Sequence, residues 1–204
     1  MEDLLIPLFP LELVLFPGQR LPLHIFEERY KTMIGECVET AAEFGIVLAK
    51  ENAIVNIGCT AQVVEVARKY EDGRMDVVTV GRRRFEVLFV DETREFLRAA
   101  AQFFQDEDVP ASDTLAARVT ELARQVGELV PQDEAAAATA PAAPLSYHVA
   151  APLPLDLDFK QMLLALRTEN ERLERVTHYL QQLLPRLRLA ARTRTKSRGN
   201  GHCR

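Results

Sequence analysis

Catalysis needs a nucleophile, an acid/base pair, a metal cluster or a phosphate cradle, and the residue types that build these are sparse in this chain of 204 residues. There are three serines. Ser112 precedes an apolar-periodic stretch as a helix cap would, Ser146 adjoins an Ala/Pro-rich segment and Ser197 lies in a basic tail. None stands in the Gly-x-Ser-x-Gly elbow that presents a nucleophile on a strand-to-helix turn. The nine glycines give neither G-x-G-x-x-G nor G-x-x-x-x-G-K-[ST], so both Gly-rich loops that cradle phosphates are missing. His24, His148, His178 and His202 are scattered, and only His148 has a serine and a tyrosine close by; lone histidines of this kind read as surface or core residues. Cys37, Cys59 and Cys203 are odd in number and widely spaced, with no Cys-x-x-Cys pair, so neither a disulfide nor a structural zinc site is expected. Thirty acidic residues single out no acid/base pair. The chain reads as a protein without a catalytic site, cofactor or metal.

Binding chemistry has two candidates. Arg82-Arg83-Arg84 could contact phosphate, but alternate residues of a strand face opposite ways, so the expectation is two solvated arginines and one paired with a carboxylate. The stretch after Pro185 holds seven basic residues and no acid, which leaves the preceding body with 18 basic against 30 acidic residues, a net −12 within an overall −5. An acidic body argues against a nucleic-acid face, and nucleic acid is expected to be engaged, if at all, only through the tail. The N-terminus is acidic where a signal peptide is positive, and no apolar run approaches the roughly 18 to 20 residues of a membrane span. A cytoplasmic location without a membrane partner is the expectation.

The elements that would position these residues fall into two kinds. Short strands dominate the first hundred residues: 20–26 alternates Leu21, Leu23 and Ile25 with polar neighbours, 44–49 and 61–70 are β-rich, and Asp72-Gly73 is expected to turn tightly into 75–80. Phe85, Val87 and Phe89 alternate next, and 96–104 is a last strand candidate. One amphipathic helix interrupts them, with Tyr30, Met33, Ile34, Cys37 and Val38 on one stripe and Cys37 as a core thiol. Many short strands and one helix point to a partly closed barrel. After Pro110 the period becomes helical, with Ser112 or Asp113 and then Asp156 or Asp158 as caps and Thr168-Glu169-Asn170-Glu171 as a capping box. The last helix places Leu173, Val176, Leu180, Leu183 and Leu184 on one side and Glu171, Arg172, Glu174 and Arg175 on the other, and Pro185 is expected to kink or end it. The class is therefore α+β: a β part over 1–108 and a small helical bundle over 109–190, with 131–144 as an Ala/Pro-rich mobile connection and 191–204 as a disordered basic tail.

The run Ile6-Pro7-Leu8-Phe9-Pro10-Leu11, then Phe16-Pro17-Gly18 and Leu21-Pro22-Leu23-His24-Ile25-Phe26-Glu27-Glu28-Arg29-Tyr30, resembles the opening of the N-terminal, substrate-binding domain of the Lon protease family. Phe44-Gly45-Ile46-Val47, Asp72-Gly73-Arg74, Gly81-Arg82-Arg83-Arg84-Phe85, Leu153-Pro154-Leu155 and Glu171-Arg172-Leu173 continue it, so the likeness covers about residues 4 to 190. It implies a PUA-like β pseudo-barrel followed by a helical bundle. Full-length relatives continue into an ATPase module and a Ser/Lys peptidase domain, and at 204 residues this chain is expected to stand alone without them.

The function this implies is a non-catalytic module that binds unfolded or apolar polypeptide segments, with a separate protease or chaperone as a further partner. RNA binding through the basic tail is the alternative, because PUA-like folds include RNA readers. Phe9, Leu13, Phe16, Phe96 and Phe104 are the candidate walls of a peptide groove, since strand alternation should leave some of them off the core face. The other motif residues are expected to set backbone shape: Pro7, Leu8, Pro17, Gly18, Pro22, Leu23, Phe26, Glu27, Arg29, Tyr30, Gly81, Arg84 and Phe85.

Overall fold

Proline, glycine and β-branched residues cut the first half of the chain into six strands. In the computed structural model, which describes residues 5–51, 53–130, 139–140 and 142–199 with side chains through 191, these are β1 (Ile6–Leu11), β2 (Arg20–Ile25), β3 (Phe44–Lys50), β4 (Ala53–Lys69), β5 (Met75–Asp91) and β6 (Arg98–Phe104). β1 pairs parallel with β3, and antiparallel ladders then link β3 to β4, β4 to β5, β5 to β6 and β6 back to β1, closing a ring. β4 and β5 are 17 residues each and outrun the ring. Their far halves, with β2 on the outer side of β5, form a projecting three-stranded arm.

Inside the ring Phe85 is fully buried among Ile6, Leu8, Val47 and Val87. A Cβ on Gly58 would lie 2.7 Å from the Phe85 ring and 2.5 Å from the Ile46 carbonyl oxygen, so the strands close around this phenyl only because position 58 has no side chain. The Asp72-Gly73 turn is longer than the two-residue form expected. Tyr70 N–H donates to Arg74 O at 2.9 Å and Gly73 N–H to Tyr70 O at 3.0 Å, a type I turn followed by Gly73 at φ 82°. Asp72 keeps an ordinary φ and instead accepts from the Arg74 N–H at 3.2 Å. The alternation expected through Phe89 also breaks, because a bulge between Val87 and Phe89 leaves Leu88 and Phe89 both exposed.

Helix α1 (Glu28–Thr40) buries Tyr30, Met33, Ile34 and Cys37 as its stripe requires, while Val38 stays exposed. Burial pushes the Cys37 thiol up to about 11 and the Cys59 thiol up to about 12, so both are inert core groups. The helical half contains α2 (Asp113–Gly127), α3 (Leu145–Ala150), α4 (Leu157–Ala165) and α5 (Glu169–Gly199). Ser112 caps α2 by accepting the Leu115 N–H. At the capping box the Glu171 N–H donates to Thr168 Oγ1 at 3.2 Å and the Thr168 hydroxyl to Glu171 Oε2 at 2.9 Å. Buried side chains of α2, α3, α4 and α5 join Phe9, Phe44 and Ile46 of the ring in one large apolar cluster.

One expectation changes. α5 continues through Pro185 to Gly199, where disorder was expected from residue 191. Pro185 lies on an exposed side, where water can serve the carbonyl its ring leaves unpaired, and the Arg, Leu and Ala residues that follow are strong helix formers. Most of the connection expected over 131–144 lies outside the described residues; at its described end Ala140 N–H donates to Gly18 O at 2.8 Å, and Ala143 N–H to Ala140 O. Residues 131–138, 141 and 200–204 lie outside the described residues, as does Cys203.

Candidate functional site

The site begins with a bulge. Between Cys59↔Arg84 and Ala61↔Gly81 the β4–β5 ladder takes an extra residue on β5, so strand alternation fails there. Arg82 and Arg83 both point outward and Arg84 turns inward. The hydroxyl of Thr60 holds the bulge, accepting the Arg83 N–H at 3.0 Å and donating to Glu43 Oε2 at 2.6 Å. Opposite Phe16 the strand comes so close that a Cβ on Gly81 would stand 2.1 Å from the Phe16 carbonyl oxygen. Gly81 N–H donates to Gln19 O and the Gly81 carbonyl accepts from Gly18 N–H, which fixes the Pro17-Gly18 turn, with Gly18 at φ 79°, against β5.

Arg84 then reaches across to the helices. It donates to the carbonyls of Leu164 and Leu166, at the end of α4, and to Asp106, two residues past β6. The same Asp106 receives Arg172 of α5 in a bidentate pair, 2.8 Å on its Oδ1 side. Arg172 has no exposed side-chain surface. Its remaining donors reach Leu166 O at 3.1 Å, Glu169 Oε2 at 2.8 and 3.0 Å, and Ser146 Oγ at 3.0 Å, and its guanidinium lies 4.7 Å from the Tyr147 ring centre. Ser146 donates its hydroxyl to Glu169 at 2.7 Å, so it is a strut in a buried ionic network and no nucleophile. Burial raises the Asp106 carboxyl, but the hydrogen bonds and charges of Arg172 and Arg84 outweigh it and hold Asp106 below the ordinary carboxylate range.

Above this network lies a groove of about 470 Å³ between the ring and the helices. Pro17, Pro144, Phe103 and Phe104 give its lining an apolar part, and Arg82 and Arg83 a cationic one. The phenyl rings carry cations: Arg83 lies 4.0 Å from Phe103, and Arg84 and Arg167 lie 4.7 and 4.6 Å from Phe104. Tyr147 closes the inner end, stacked on Phe16 at 4.8 Å. Its buried hydroxyl has no hydrogen-bond partner among the described residues, and burial pushes the phenol up to about 12.

Of the five residues expected to wall a peptide groove, Phe104 alone lines this one. Phe9, Phe16 and Phe96 are core residues: Phe9 of β1 packs on Tyr30 of α1, Phe16, in the loop before β2, on Tyr147 of α3, and Phe96, in the loop before β6, is buried in the same cluster. Leu13 is half-buried against the same core. All three arginines of the triplet border the groove, against the alternation argument, for which the bulge is the reason. Where one paired and two solvated arginines were expected, two are paired, Arg84 with Asp106 and Arg83 with Glu43, and Arg82 alone of the three has no carboxylate partner among the described residues. Among the shape-setting residues, Leu8, Tyr30, Gly81 and Phe85 are buried, Pro7 and Leu23 half-buried, and Pro22, Phe26 and Arg29 exposed, with Arg29 paired to Glu27.

Reading the sequence missed Arg172, which it set on the outer charged face. The signal was present: Arg172 stands four residues before Val176 and eight before Leu180, on the buried stripe, whereas Glu171, Glu174 and Arg175 form the exposed one. Among the described residues no group of three or more His, Cys, Asp or Glu side chains could hold a metal ion, and no helix is long and apolar enough to cross a membrane.

Comparison with known proteins gives this groove its context. The model of the ATP-dependent protease La (LON) substrate-binding domain matches residues 5–182, from the start of β1 to within α5. The chain belongs to the Lon substrate-binding domain family. Curated relatives include the Lon proteases of Anaeromyxobacter dehalogenans, 29% identical over 150 residues (67% of this chain, 18% of that protein), and of Parabacteroides distasonis, 29% identical over 116 residues (53% and 14%). The chain thus spans less than a fifth of these relatives' length. Solved structures of the same shape include a Lon N-terminal domain protein from Xanthomonas campestris, with TM-score 0.68 and 23% identity over 86% of this chain and 98% of that one. A second is the N-terminal domain of a Mycobacterium avium complex Lon protease, with TM-score 0.59 and 17% identity over 87% and 98%. At these identities the structural likeness speaks for the α+β fold: a mixed six-stranded sheet with a helical part after it.

Proposed function

We propose that this chain is a polypeptide-recognition module that takes unfolded or apolar protein segments into the groove between the strand ring and the helices. The observation that carries the reading is the match of residues 5–182 to a substrate-binding domain. Three properties of the groove agree with it: it is open, it is lined by a partly exposed phenyl pair, and it is set on elements tied together by the Arg84–Asp106–Arg172 network. An extended segment would lay apolar side chains against Phe103, Phe104 and the two prolines. The role is binding rather than catalysis, and clients would pass to a separate protease or chaperone.

The test compares retention of a reduced, unfolded model protein with retention of its native form. Binding of the unfolded form alone, lost in a Phe103→Ala/Phe104→Ala double variant, is the expected result. Equal indifference to both forms overturns the proposal.

A further inference from the structure

The charges around the groove are unevenly matched. Asp106, the carboxylate in the groove's lining, accepts from both Arg84 and Arg172, and Glu43, beyond the lining, accepts at Oε2 from Arg83 Nε at 3.0 Å and from Thr60, so both are already engaged. Arg82 meets only the neutral Gln62, at 3.1 Å, and Arg167 only the face of Phe104. Neither has a carboxylate partner among the described residues. Arg82 in the groove's lining and Arg167 on the ring of the lining residue Phe104 are therefore two exposed guanidinium groups with uncompensated charge, on a chain whose net charge is −5. Elsewhere such a surface repels anions, and at this rim it attracts them.

We infer that the groove selects polypeptide segments in which an aromatic or large apolar residue is flanked by acidic ones; the inference rests on the polypeptide-binding reading above. The apolar side chain meets the open part of Phe103, which is 39% exposed. Carboxylates one or two residues away meet Arg82 and Arg167, whose planar forks match a carboxylate in two hydrogen bonds. A basic segment meets like charge at the rim. Single-stranded nucleic acid is the less suited polyanion. Its evenly spaced phosphates need a continuous basic track, and here the track ends after a few side chains against the acidic body.

The test uses the full chain and three labelled unstructured peptides of equal length, each with a central Phe flanked by Glu, Gln or Lys, plus an oligouridylate of matching length, read by fluorescence anisotropy. The expected order is Glu, then Gln, then Lys, with the Glu peptide about tenfold tighter than the Lys peptide and its advantage shrinking with salt. Arg82→Glu/Arg167→Glu reverses the order without lowering the melting temperature, because both side chains are exposed. Equal binding of the three peptides overturns this inference and leaves polypeptide recognition standing. Failure to bind any of them overturns both. Oligouridylate binding tighter than the Glu peptide also overturns it, in favour of nucleic acid.

Discussion

Arg172 is a cation held where water does not reach, and two carboxylates, one carbonyl and one serine hydroxyl stand in for its hydration. Such an arrangement adds little over a well-packed apolar one, but losing half of it strands charges. Arg172→Met leaves Asp106 with Arg84 alone and Glu169 with no cation, and should cost about 3 kcal/mol or more in urea unfolding. Asp106 contributes to the acid limit. Its carboxyl lies below the ordinary range in the folded chain, so the stability it lends is full above the unfolded value of about 3.9 and is lost as pH falls through the folded one. The acid unfolding profile of Asp106→Asn should accordingly be flatter below about pH 4. Neither role could be read from composition. A helix's polar positions look alike whether they face water or acids far along the chain, and Asp106 is 66 residues from Arg172 in sequence.

Elements were the legible scale. Period-two alternation placed β2, apolar and β-rich runs placed β3 and the second half of β4, the 3.6 period placed α1 and α2, and Ser112 and Thr168 are the caps their positions suggested, whereas β1 was not assigned as a strand. Bulges were not legible, because an inserted residue leaves no mark in hydrophobic pattern, and the bulge at Arg82-Arg83 decides which side chains of β5 face the groove. Two substitutions test the elements. Gly81→Ala drives a methyl into the Phe16 carbonyl and should destabilise by about 2 kcal/mol or more, read as a lowered urea midpoint. Pro185→Ala restores a donor within α5 and should slow amide exchange over residues 186–191, whereas unchanged exchange would mean that the helix does not depend on position 185.

At the scale of the whole molecule, ring and helices share one apolar cluster, and Arg84 of β5 ties them by hydrogen bonds to Leu164 and Leu166. Far-UV ellipticity and tyrosine absorbance should therefore report a single coincident unfolding transition. In Arg172→Met the two signals are expected to separate, the helical part loosening first.

Tyr147 makes that contact visible. The sequence has four tyrosines and no tryptophan, so the near-ultraviolet signal is dominated by phenol rings, and one of these is wedged between Phe16 of the strand half and Arg172 of the helical half. With its hydroxyl sealed from water, it ionises only at about 12. Its contribution to stability is present below the unfolded value of about 10 and fades as pH rises toward the folded one. The chain thus contains its own optical gauge of closure: a phenol whose late appearance as phenolate in alkali marks the moment the two halves part.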